Sequence, residues 1–379
     1  MIKNKVPLGN YITPYSVKNK NNEDIPVYSV TNSEGFCRDY FSKEVASKDK
    51  TTYKIVPKGC FAYNPSRINV GSIDWQREEE RVIVSPLYNV FSISEELDAQ
   101  FLYYYLKSDM SLHYIKELAS GSVRDNLKLE TLMEFPIPEL PLAAQKKISS
   151  ILDNLTEAVS IANLCLGKLD QLVKSRFVEL FGDPVSNPFE WDKVPLSELA
   201  DIKIGPFGSL LHKDDYIENG HPLVNPSHIK DGKIVTDSKL TISDEKYGEM
   251  TAYHLKIGDV VMGRRGEMGR CAVVSEDGLL CGTGSLLIRS KGEITADYIQ
   301  KIISFPSFKK IIEDMAVGQT MPNLNVPIVS NFKIIKPPIG VQHKYYSFVH
   351  EIDKSKLAVK ECLEKAEYLK SALMQEYFG

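Results

Sequence analysis

The chain of 379 residues is 43% hydrophobic and 25% charged, the composition of a soluble globular protein with room for two or three domains. A formal net charge of −4 and a pI of about 6.1 exclude a chain that is basic throughout, so any nucleic-acid surface must be a local patch. Cys37, Cys60, Cys165, Cys271, Cys281 and Cys362 form no CxxC pair and no zinc-spaced cluster; with no bilayer-length apolar run and no signal segment, this predicts a reduced, cytoplasmic protein without a structural metal.

Residues 1–140 read as a mixed domain. "YKIVPKGCFAY" (53–63) and "ERVIVSPLYNVFSI" (80–93) are β-branched and aromatic runs between turn signals and predict strands. "LDAQFLYYYLKSD" (97–109) predicts a short helix. Residues 141–183 read as one long helix. Ile148, Leu152, Leu155, Val159, Ala162, Leu166, Leu169, Val173 and Phe177 mostly alternate four and three residues apart, a coiled-coil seam. A helix over 144–181 would measure ~57 Å at about 1.5 Å per residue. Pro141 stands where a helix start tolerates proline, and Gly182-Asp183-Pro184 ends the run.

Residues 184–336 repeat the mixed character. "HLKIGDVVMG" (254–263), "RCAVVSE" (270–276) and "GSLLIRS" (284–290) predict strands, and "TADYIQKIISF" (295–305) a helix. Residues 337–379 close with a second long helix. Tyr345, Val349, Ile352, Val359, Leu363, Ala366 and Met374 hold its seam, Lys356 and Lys370 interrupt it, and Leu357, Leu369 and Leu373 broaden the apolar face. The fold class is therefore α+β: two pseudo-repeated α/β domains, separated and followed by long helices that form an antiparallel coiled coil.

The two halves are copies. "LASGSVRDNLKLETLMEFPIPELPLAAQKKI" (118–148) aligns without a gap on "MAVGQTMPNLNVPIVSNFKIIKPPIGVQHKY" (315–345). Gly121 falls on Gly318, Asn126-Leu127 on Asn323-Leu324, Phe135 on Phe332, Pro141 on Pro338 and Gln145 on Gln342. At the same offset Phe181-Gly182 falls on Phe378-Gly379, whereas "KVPLGNY" (5–11) meets "KVPLSEL" (193–199) only after an insertion near "GPFGSLLHK" (205–213). Two copies make a pseudo-dimer in one chain, not a solenoid.

Catalytic signatures are sparse. "GRRGEMGR" (263–270) lacks the Lys-Ser/Thr pair of a phosphate loop, "CGTGSLL" (281–287) is half a dinucleotide fingerprint, and neither HExxH nor GxSxG occurs. "YNPSR" (63–67) and "VNPSH" (224–228) lack the second proline and the aromatic of an amino-methyltransferase loop and predict asparagine–proline turns. The carboxylates of "REEERV" (77–82) predict a solvated strand edge rather than a metal site. A duplicated, two-headed, non-enzymatic chain suits two half-sites on duplex DNA; the alternative is a coiled-coil interaction scaffold that binds no DNA.

These residues resemble the specificity (S) subunit of type I restriction–modification systems over the whole chain. The resemblance rests on "GSVRDNL" (121–127) and "GQTMPNL" (318–324), on "FPIPELPLAAQKKI" (135–148) and "IIKPPIGVQHKY" (334–345), on "LFGDP", on "IKIGPFGSLLHKDDY" (202–216) and on "GDVVMGRRGEMGR" (258–270). The family pattern opens each helix with Glu-Gln, whereas Ala144 and Val341 precede the glutamines here, and the first copy has "NPSRINVGS" (64–72) in place of the Arg-Arg-Gly loop. The resemblance implies target-recognition domains at 1–140 and 184–336 and helical spacers at 141–183 and 337–379. It implies a non-catalytic subunit that binds double-stranded DNA, two methyltransferase (M) subunits and restriction (R) subunits. S-adenosylmethionine, ATP and magnesium then belong to those partners. Within this frame Arg264 and Arg265 can offer bidentate donors to guanine or phosphate. Arg67, Arg124 and Arg270 are further DNA-contact candidates, Ser122, Gln319 and Thr320 can donate to phosphates or base edges, and Lys213 to a phosphate.

Overall fold

A computed structural model describes residues 4–38, 49–118, 126–207, 210–316 and 323–379. The chain divides into two compact units, Met1–Cys165 with Ala358–Gly379, and Leu166–Leu357. Each unit therefore holds one globular domain together with part of both long helices.

The frame of the first unit is a four-stranded antiparallel sheet in the order Ile12–Pro14, Asn89–Ile93, Phe61–Tyr63, Ile73–Trp75. The second unit has the same order: Ala200–Ile204, Ser285–Ser290, Val260–Gly263, Cys271–Val273. Phe61 faces Phe91 in one register and Val260 faces Ile288 in the other. Lys5–Pro7 pairs with Pro136–Pro138, and Lys193–Pro195 with Lys333–Ile335. The repeated Lys-Val-Pro is thus an edge strand laid on the segment that leads into each long helix.

The other sheets differ between the units. The first carries Lys54–Pro57 against Arg81–Val84 and a hairpin of Ser29–Thr31 with Gly35–Cys37. The second carries Tyr216–Ile217, Thr241–Ile242, His221–Val224 and Leu280–Cys281, the last pair parallel. Several expected strands are shorter than the apolar runs that predicted them. Residues 53–63 break at Gly59, which has φ +85°. Residues 80–93 break at a turn closed by Tyr88 N–H on Ser85 O at 3.0 Å, with Pro86 inside it. In 254–263 only Val260–Gly263 is strand, because Gly258 at φ +86° turns the chain and Asp259 accepts from Lys256 N–H at 2.7 Å.

The helices Ala99–Lys107 and Ala296–Ile303 stand where 97–109 and 295–305 predict them. Asp98 caps the first through Phe101 N–H at 2.9 Å, and Thr295 caps the second through Tyr298 N–H at 3.2 Å. The two glutamines of the repeat explain how cap and long helix are joined. Gln145 accepts from Asp98 N–H at 2.8 Å and donates to Leu140 O at 2.8 Å and Glu96 O at 3.0 Å. Gln342 accepts from Thr295 N–H at 2.9 Å and donates to Pro337 O at 2.9 Å and Glu293 O at 3.5 Å. Both glutamines are buried, and an amide offers one acceptor and two donor hydrogens for these backbone groups.

The long helices run over Leu142–Phe181 and Ile339–Phe378, 40 residues each. The seam is most deeply buried toward its ends, at Ile148, Leu152, Val173 and Phe177, and half-buried between. Their sense is antiparallel within each unit. In the second unit Tyr345, early in one helix, donates to Val173 O late in the other at 3.4 Å. In the first, Phe378, at the end of its helix, shares a core with Ile148 and Leu152, near the start of the other. Lys356 does not leave the seam open, because it pairs with Asp170 at 2.7 Å. The duplicated Phe-Gly end has a structural purpose. Phe181 packs on Tyr298 with centroids 4.9 Å apart, and Phe378 on Phe101 at 5.2 Å. Each aromatic thus seals a core containing the globular domain that does not precede its own helix in sequence.

Candidate nucleic-acid interface

Each frame sheet delivers a loop from the end of its third strand. In the first unit Tyr63 ends the strand and Asn64–Arg67 follow. Asn64 makes an Asx turn, its Oδ1 accepting from Ser66 N–H at 3.1 Å, and Arg67 N–H closes on Asn64 O at 3.0 Å. In the second unit Gly263 ends the strand and Arg264–Arg270 follow. The Asn-Leu pair of the repeat docks on these loops in both units. Leu127 N–H donates to Pro65 O at 3.2 Å, and Leu324 N–H to Arg264 O at 3.0 Å. Both leucines are buried.

The carbonyls of these leucines are held differently. Tyr63 Oη donates to Leu127 O at 3.1 Å and accepts from Asn89 Nδ2 at 2.9 Å. Burial holds the Tyr63 phenol far above its usual pKa, so it stays a donor. Leu324 O instead accepts from Arg264 Nε at 2.8 Å. Burial, and then the charge of Arg265, lower the pKa of Arg264 from its ordinary value; a guanidinium nevertheless remains charged.

The candidate residues separate clearly. Arg67 and Arg265 are exposed on their loops. Arg265 has no hydrogen bond or ion pair to another described residue. Arg264 is half-buried and holds Leu324. Arg270 is half-buried and engaged within its own loop region, donating to Glu267 at 3.1 and 3.3 Å and to Pro226 O at 3.2 Å. Glu267 also meets Lys309 at 2.8 Å. Lys309, then Arg270, hold its carboxyl below the usual range. Ser122, Arg124, Gln319, Thr320 and the side chain of Lys213 lie outside the described residues. Asn225-Pro226 opens a 3-10 turn over Pro226–His228, so both Asn-Pro motifs are turns, as their sequences predict. Glu78, Glu79 and Glu80 are exposed, and no acidic or His/Cys cluster fit for a metal occurs among the described residues.

Tyr63, Ser66 and Asn89 belong to the candidate site but are singled out by no motif, and Asn126 enters the sequence reading only through the repeat. Ser66 Oγ donates to Asn126 Oδ1 at 2.6 Å, tying the loop to the Asn-Leu pair. Their signal is the Asn-Leu pair at the same offset in both copies. Beside Asn89 lies a cleft of about 260 Å³ that also exposes Lys54 and Lys128. Lys54 donates to Tyr88 O at 2.6 Å, and burial, then Lys18, lower its pKa.

Two copies of one frame, each presenting an arginine-bearing loop, make a duplicated chain in which these paired loops form the candidate nucleic-acid interface. The family model for the type I restriction modification DNA specificity domain matches residues 6–168 and again 188–367, and the chain belongs to that family. It is 22% identical over 307 residues to the type I restriction enzyme MjaVIII specificity subunit of Methanocaldococcus jannaschii, covering 75% of this chain and 71% of that one. It is 22% identical over 321 residues to the EcoBI specificity subunit of Escherichia coli, covering 75% and 66%. Among solved structures, the S subunit from M. genitalium superposes with a TM-score of 0.56 at 16% identity, covering 99% of this chain and 96% of that one. A chain solved in work on complex assembly of the type I system gives 0.60 at 17%, covering 99% and 97%. These likenesses carry the fold. Membership of the family makes this chain a non-catalytic, DNA sequence-recognition subunit, and the scaffold alternative falls away. No helix among the described residues is long and apolar enough to cross a membrane.

Proposed function

We propose that each unit reads one half of a bipartite, asymmetric DNA target, with recognition domains at 1–140 and 184–336. The helical segments 141–183 and 337–379 set the gap between the half-sites and dock two methyltransferase subunits. S-adenosylmethionine is bound by those subunits, and ATP and magnesium by restriction subunits that join them; the assembly works in the cytoplasm.

The observation that carries this is one frame built twice with different loop chemistry. The docking of Leu127 on Pro65 O recurs as Leu324 on Arg264 O, yet Ser66-Arg67 stands where Arg265-Gly266 does in the other copy. A constant frame with variable exposed donors suits two different base sequences, since base edges carry the information and phosphate contacts the register. The test is methylome sequencing of cells carrying the M subunits with this chain, and with Arg265→Ala. The expected result is a split motif whose two halves differ, with Arg265→Ala relaxing one half alone. Equal loss of discrimination in both halves would overturn the assignment of one half-site to each unit.

A further inference from the structure

The two adjacent arginines of the second unit do different work. The sheet registers identify the groups that correspond in the two units. Tyr63 stands across from Asn89 in the first, and the corresponding cross-strand pair in the second is Met262 with Leu286. The polar pair supplies the hydroxyl that satisfies Leu127 O. The apolar pair has no donor for Leu324 O, although Leu324 is fully buried. A buried carbonyl left without a partner is costly. Arg264, two residues beyond Met262, fills the vacancy with Nε, and its own backbone carbonyl takes Leu324 N–H. Arg264 thus holds both polar groups of the Leu324 residue.

Arg264 N–H is also engaged, on Gly284 O at 2.9 Å, so its backbone is fixed on the sheet. Arg265 comes directly after it and is exposed. We infer that Arg264 is a positioning residue that replaces the Tyr63–Asn89 pair of the first unit, and that Arg265 is the arginine of this pair that contacts DNA. This rests on the DNA-reading function proposed above and deepens it. The two sequence-predicted readers become one clamp and one reader.

The test uses the full chain assembled with its M subunits and a duplex carrying the methylated motif found for the wild type. Affinity is measured against salt concentration. A lost phosphate contact lowers the slope of log K against log salt by about one, and a lost base contact relaxes one position of the motif. Arg265→Ala is expected to do one or the other. Arg264→Ala is expected to weaken binding about tenfold, the scale of one lost buried hydrogen bond, with the slope unchanged. Arg264→Gln removes the charge but keeps an amide donor, and is expected to retain most of the affinity at the wild-type slope. The decisive variant restores the first unit's arrangement: Met262→Tyr with Leu286→Asn, added to Arg264→Ala, is expected to recover affinity. A buried tyrosine cannot replace a DNA contact, so recovery supports the clamp. A slope lowered by about one in Arg264→Gln, or a folded triple variant that binds no better than Arg264→Ala, would overturn it. A wild-type assembly with no sequence preference would instead sink the DNA-reading proposal itself.

Discussion

Single residues fix the ends and turns of this fold. Gly35 has φ +64°, and a Cβ there would lie 1.9 Å from Asp74 Oδ2. Asp74 is buried, and it accepts from Phe36 N–H at 3.2 Å, from Trp75 N–H at 2.8 Å and from Arg77 at 2.8 Å. Burial raises its pKa while Arg77 opposes that shift, so its position depends on these partners. Gly59 offers the control, with φ +85° and nothing within 4 Å of an added Cβ. Gly59→Ala is expected to cost about 1 kcal/mol, the backbone strain alone. Gly35→Ala is expected to cost about 2 kcal/mol more, because the hairpin or the carboxylate must move. Denaturant unfolding of both variants checks this, and equal losses would refute the role of Asp74. The sequence pattern does not mark Gly35, since the contact joins residues 35 and 74 through tertiary structure. Gln145 and Gln342, by contrast, are legible, because the duplication holds them at a fixed offset while their neighbours change.

At the level of elements, the two copies serve as templates for each other. In the second unit Phe177 lies 5.2 Å from Phe305 and 5.0 Å from Phe181, in a closed aromatic cluster. The corresponding residues of the first unit are Met374, Ser108 and Phe378, and there a cleft of about 320 Å³ remains, lined by Val159, Lys370 and Met374 among others. Cavity filling by a side chain that the other copy already accommodates commonly stabilises by ~0.5–2 kcal/mol. Met374→Phe is therefore expected to raise the melting temperature, and Met374→Ala to lower it. A fall with Met374→Phe would mean that the surrounding helices cannot take the ring. The long helices were legible because period and length are local properties of the sequence. The short strands were only half legible: apolar runs such as 53–63 contain two strands separated by a glycine turn. The other four-stranded sheet of the second unit, built from Tyr216–Ile217, Thr241–Ile242, His221–Val224 and Leu280–Cys281, is not legible because its strands are two to four residues long, too short for alternation to show. In the candidate site Arg67 and Arg265 are exposed, whereas the bonds of Arg270 depend on Glu267 and Pro226 and could not be read from spacing.

On the scale of the whole molecule, the long helices link the halves, and the chain between Cys165 and Leu166 passes from one unit to the other without leaving helix. Gly167 is exposed in this stretch, and nothing lies within 4 Å of an added Cβ, so the site tolerates change. Under the proposed function these helices set the gap in the DNA target. Four extra residues lengthen a helix by about 6 Å and rotate its C-terminal portion by roughly 40° beyond a full turn. Duplex DNA rises about 3.4 Å per base pair, so the gap is expected to grow by one or two pairs. The helices are antiparallel partners within each unit, so lengthening one alone strains the seam. Matched insertions after Gly167 and after Glu364, its counterpart in the second copy, keep the partners equal in length. The single insertion is expected to lower methylation through poorer helix packing, and the double insertion to restore methylation at the lengthened motif. Methylome sequencing reads both outcomes directly. Full activity of the double variant on the original gap would show that the helices do not set the spacing.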